Sequence, residues 1–70
     1  MNQSELPEPI IELADQLYEM YSLEELEDIP FMLKELKYLR SHMTKIDILV
    51  AIDLSLSWKR LETSKRYKLD

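Results

Sequence analysis

Not one of the 70 residues is glycine. The favoured two-residue hairpin turns need positive φ, which glycine supplies at least steric cost, so a glycine-free chain is poorly suited to a sheet of several hairpins. The same absence removes phosphate-cradling loops, the dinucleotide fingerprint and the calcium-loop turn. Helices remain the available way to satisfy the backbone. The expected fold is therefore all-α: a small bundle of three to four short helices.

Size limits the rest. Seventy residues form one domain, expected to span 1–70 with flexible ends at 1–7 and 67–70. At 8.4 kDa the folded surface should be roughly 4,600 Å², and about 60% of the extended chain's surface is buried. With no cysteine, neither disulfides nor thiolate-bound metal can reinforce so small a core. The apolar share of 46% nevertheless excludes a disordered chain. Self-association into a homodimer, or a protein partner, is the expected source of further stability.

Helix signals recur along the chain. Pro7-Glu8-Pro9 suits an opening turn, and Ile10, Leu13, Ala14, Leu17 and Tyr21 then repeat at helical spacing. This predicts a helix over about 8–21. Ser22 and Glu25 match a capping box, starting a short helix or a kinked lead-in over 23–28. Pro30 interrupts, and Asp28 can cap a third segment with Pro30 in its first turn. There Ile29, Met32, Leu33, Leu36, Leu39 and Met43 form one stripe, with Lys34, Glu35, Lys37 and Arg40 on the solvent side. Thr44 with Asp47 is a second capping signal.

Residues 46–58 carry two periodicities. Ile48, Val50, Ile52, Leu54, Leu56 and Trp58 alternate as in a strand, yet Ile46, Val50, Leu54 and Trp58 also share an i,i+4 helical line. The cap and the helical neighbours favour a helix, apolar nearly all round and so deeply buried. Asp53 interrupts it and must be exposed, paired or capping. Leu33, Leu36, Leu39, Val50, Leu54 and Trp58 are the expected core and interaction residues.

Catalytic signals are sparse. His42 is the lone histidine, and no nucleophile-elbow pattern accompanies it. The acidic run Glu24, Glu25, Glu27 and Asp28 lacks the alternation of a cation loop and reads as a solvated face. No enzyme activity, cofactor, metal or small-molecule substrate is expected. The longest apolar run, Ile48–Ile52, is far short of the ~20 residues that span a bilayer. Met1–Glu5 lacks the blocks of a signal peptide. A cytoplasmic or virion-internal setting with no membrane partner follows as an expectation.

Charge is unevenly distributed. Residues 1–40 hold ten acids and three bases, and residues 41–70 hold four acids and six bases, giving −7 and +2. This could serve complementary packing within a dimer or a division of labour between the two halves. Within 47–64, Val50-Ala51, Leu54, Ser55, Leu56-Ser57 and Leu61 stand where a helix-turn-helix needs an apolar–Ala pair, an apolar position, a turn, an apolar–Ser pair and an anchor. The stretch resembles the helix-turn-helix motif of small DNA-binding regulators. It departs from the pattern at Ser55, where glycine is usual, and at Ser64, where a second apolar anchor is common. The resemblance implies Ser57 as an N-cap, Leu61 pointing inward, and DNA contacts from Lys59, Arg60, Lys65 and Arg66. Set against it, a pI near 4.8 favours a regulatory or adaptor protein whose helical faces bind another protein. Protein binding is the leading expectation and DNA-binding regulation the alternative.

Overall fold

The computed structural model describes residues 6–68, with backbone alone for 65–68. Four α-helices and one 3₁₀ segment follow in order among the described residues: α1 Glu8–Met20, α2 Leu23–Glu27, α3 Ile29–Glu35, 3₁₀ Lys37–Ser41 and α4 Lys45–Lys68. None of them is a strand, and the all-α expectation holds. Of the expected flexible ends, residues 1–5 and 69–70 lie outside the described residues. Residues 67–68 continue α4.

The caps sit where the local sequence requires them. Ser22 and Glu25 form a reciprocal box: the Glu25 N–H donates to Ser22 Oγ at 3.2 Å, and the Ser22 N–H to Glu25 Oε1 at 2.8 Å. Asp28 accepts from the Phe31 N–H at 3.2 Å. Thr44 and Asp47 form a second box, through the Asp47 N–H to Thr44 Oγ1 at 3.1 Å and the Thr44 N–H to Asp47 Oδ2 at 3.4 Å. Each satisfies donors that a helix start leaves without intrahelical partners.

The third segment differs from the single stripe predicted through Met43. Its α-helix ends at Glu35, and the chain tightens into the 3₁₀ segment, with the Leu39 N–H on Leu36 O and the His42 N–H on Leu39 O, both at 2.9 Å. A helix commonly stops on a left-handed glycine, and no described residue has positive φ. Winding down through 3₁₀ bonds is one route open to a chain without glycine. Leu36 is buried, and Leu33, Leu39 and Met43 pack half-buried against the same core.

That core joins Ile10, Leu13, Ala14 and Leu17 of α1 to Leu26 of α2, Met32 of α3, and Ile48, Ala51, Ile52 and Leu56 of α4. α4 is the common element, in contact with α1, α2, α3 and the 3₁₀ segment. The body is flat, 45 × 30 × 15 Å, and exposes 5378 Å². The scaling law gives roughly 4,600 Å² for this mass. One consequence is that α4 is not buried all round, as its composition suggested: Ile46 is 70% exposed and Leu61 60%.

Candidate functional site

The turn of the helix-turn-helix resemblance is absent. Residues 53–58 run through the middle of the 24-residue α4 without a break. Ser55 is fully buried, and its hydroxyl donates to the Ile52 carbonyl at 2.8 Å, back-bonding within the preceding turn. Ser57 is an exposed mid-helix residue, not an N-cap, and Leu61 points outward where the motif needs an anchor. The apolar spacing that matched the motif is the i,i+3/i+4 repeat of one continuous helix.

Two of the four proposed DNA-contacting bases are described, and both are engaged within the chain. Lys59 is half-buried, its Nζ 4.7 Å from the centre of the Tyr18 ring. Tyr18 also meets Trp58 edge-on, with ring centres 6.2 Å apart, and its hydroxyl donates to Glu62. Arg60 donates to Glu27 Oε2 at 3.3 Å. The side chains of Lys65 and Arg66 lie outside the described residues. Glu27 thus pairs with Arg60, and Glu62 bonds the Tyr18 that Lys59 sits over, where phosphate recognition would need unopposed positive charge.

The six expected core and interaction residues separate by face. Leu36 is buried; Leu33 and Leu39 cover the core's edge. Val50, Leu54 and Trp58 are half-buried on α4 and pack against the core's edge. Together with the exposed Ile46 and Leu61, Val50 and Leu54 form a ridge: positions 46, 50, 54, 57 and 61 advance by four, four, three and four residues along one side of the helix. Ser57 is its small member. Beside the ridge, Leu6, Ile11, Leu54 and Trp58 line an apolar crevice of about 60 Å³. Met20 and Tyr38, the other large exposed apolar side chains, lie on other elements.

Other candidates carry less chemistry. Glu24, Glu25, Asp28 and Phe31 border an open depression of about 270 Å³. The Glu25 and Asp28 carboxylates are already committed to helix caps there. Among the described residues no group of three or more His, Cys, Asp or Glu is arranged to hold a metal ion. His42 is exposed at the end of the 3₁₀ segment. Asp53 is exposed and has no ion-pair partner among the described residues. Burial first, then the Glu35, Tyr38 and Glu25 carboxylates and hydroxyl nearby, raise the pKa of Tyr21 above its ordinary value. No described helix is long and apolar enough to cross a membrane.

Comparison of the chain with protein-family models, curated proteins and solved structures found no match.

Proposed function

We propose that this chain is a non-enzymatic protein-binding module that docks through the outer ridge of α4. The observation that carries the reading is the pair of large aliphatic side chains, Ile46 and Leu61, exposed at either end of one apolar line that Val50 and Leu54 complete. Isolated exposed apolar residues are ordinary on protein surfaces. Aliphatic residues aligned along one face at helical spacing are the usual anchors of helix-to-helix recognition. Nothing in the described geometry favours nucleic acid: the motif's turn is replaced by helix, and Lys59 and Arg60 face Tyr18 and Glu27.

Site-specific photocrosslinking in cells expressing the full chain tests this. A photoreactive residue at position 61 should yield protein adducts, while the same residue at Asp15, exposed on α1, should not. Equal labelling from both positions, or none from either, would overturn the reading. In a parallel gel-shift titration at low salt, mixed duplex DNA should remain unshifted at tens of micromolar protein, where non-specific binders register. A shift abolished by Lys59→Ala/Arg60→Ala would replace protein docking with the DNA reading.

A further inference from the structure

We infer that the occupant of the α4 ridge is a second copy of the same helix, lying antiparallel to the first; this rests on the docking reading above. Asp53 and Arg60 lie seven residues apart, two helical turns, and so on the same flank of the ridge. When two identical helices pack antiparallel about a two-fold axis, like flanks meet. Each Asp53 then lies near Arg60 of the other copy, and the pairing occurs twice. In a parallel pair with equal residues level, each flank would meet the opposite flank instead, and this reciprocal match would be lost.

The apolar line fits the same register. With Val50 of one copy level with Leu61 of the other, Leu54 falls level with Ser57, and both pairs repeat by symmetry. A bulky residue therefore faces a small one in the two central layers, which lets the backbones approach without overlap. Asp53 has no ion-pair partner among the described residues of its own chain. Arg60 has only the exposed contact to Glu27, the two side chains being 57% and 47% accessible. An ion pair that open is weakly held, so Arg60 can exchange partners at little cost.

Geometry also sets the strength. From Ile46 to Leu61 the ridge spans roughly 22 Å along the helix axis, and a helix is about 10–12 Å wide. That footprint is below the area of a standard stable interface, so association should be reversible with a midpoint in the micromolar range. Ile46 and Leu61, at the two ends of the ridge, are 70% and 60% exposed and so open to a second helix.

Sedimentation velocity on the full chain from 1 µM to 1 mM, with helicity followed by circular dichroism, provides the test. The mass should rise from one chain to two across that range. Ile46→Glu/Leu61→Glu should shift the midpoint at least tenfold while leaving helicity unchanged, because both residues are exposed in the single chain. Asp53→Arg alone and Arg60→Asp alone should each weaken self-association, since each sets like charges together twice. An equimolar mixture of those two variants should associate as well as the wild type, because both inter-chain pairs are then opposite in sign. The chain has no cysteine, so single introduced cysteines report orientation: Ser57→Cys should cross-link to itself and Ile46→Cys should not. Wild type that stays one chain at 1 mM, a mixture no better than either variant, or equal cross-linking at 46 and 57 would overturn the antiparallel pair. Failure here is distinct from failure of the docking reading: adducts from position 61 to another protein alone would keep the docking face and remove the second copy as its occupant.

Discussion

The two faces of α4 are built from nearly the same residue types and have different fates. Inward lie Ile48, Ala51, Ile52, Ser55 and Leu56, all buried against α1, α2 and α3. On the other side lie Ile46 and Leu61, equally aliphatic yet exposed, and Val50 and Leu54, half-buried along the core's edge. Apolar content therefore does not decide which face is covered. What distinguishes the inner face is size: Ala51 and Ser55 interrupt its larger side chains, so neighbouring helices can approach closely and interdigitate. The hydroxyl of Ser55 is tolerated there because it bonds to the Ile52 carbonyl. The outer face has one small member, Ser57; Leu54 borders the crevice with Leu6 and Ile11, while Ile46 and Leu61 stay exposed.

Removing matched volumes from the two faces separates them most directly. Ile52→Ala on the inner face should cost about 2–5 kcal/mol, the loss of transfer energy plus a cavity that the core cannot fill. Leu61→Ala on the outer face should stay within about 0.5 kcal/mol when measured on the single chain. In a domain this small each kcal/mol moves the melting midpoint by about 4–8 °C, so thermal unfolding at low protein concentration separates the two variants clearly. Comparable losses at both positions would mean that the outer face is covered within the chain itself.

A single substitution at Ser55 sharpens the difference between a continuous helix and a turn. Glycine favours a turn with positive φ but disfavours a helix interior, where it loses more backbone freedom than other residues on folding. Ser55→Gly should therefore destabilise the chain by about 0.5–1 kcal/mol, with a small further loss from the missing bond to Ile52. Urea unfolding followed by far-ultraviolet dichroism gives the sign directly. A gain in stability would restore the turn between two shorter helices.

These outcomes also mark what could be read from the residues alone. Both capping boxes and the Asp28 cap were legible because their hydrogen bonds join residues three apart, so spacing determines the partners. The helical repeat of 46–58 was legible too, but not which side is covered: Val50, Leu54 and Trp58, the expected core residues, are half-buried, while Ile48, Ile52 and Leu56 are buried. The continuity of α4 was not, because a helix-turn-helix and a single helix place apolar residues at overlapping offsets. Nor was the end of α3 at Glu35: the apolar stripe continues smoothly into the 3₁₀ segment, since residues three apart stay on one side in both forms. The engagement of Lys59 and Arg60 was out of reach for another reason. Their partners, Tyr18 and Glu27, are 41 and 33 positions away, and only the packing of α1 and α2 along α4 brings them within reach.

The smallest effect concerns Arg60, which stands on the border between the two faces. In the single chain it bridges α4 to Glu27 of α2 at 3.3 Å, with both side chains about half accessible to solvent. A double-mutant cycle of Arg60→Ala and Glu27→Ala at sub-micromolar concentration should give a coupling of about 0.2–1 kcal/mol, the range of exposed ion pairs. Raising the salt to 1 M shortens the screening length to about 3 Å and should remove most of that coupling. The cycle repeated at millimolar concentration should be asymmetric. Arg60→Ala then also removes the contact to Asp53 of the second copy, so it should cost more than Glu27→Ala, and the excess should grow with protein concentration. Equal costs at both concentrations would confine Arg60 to its own chain. A coupling well above about 1 kcal/mol at low concentration would place the pair in a drier setting than its exposure allows, and would move this edge of α4 from the open face to the packed one.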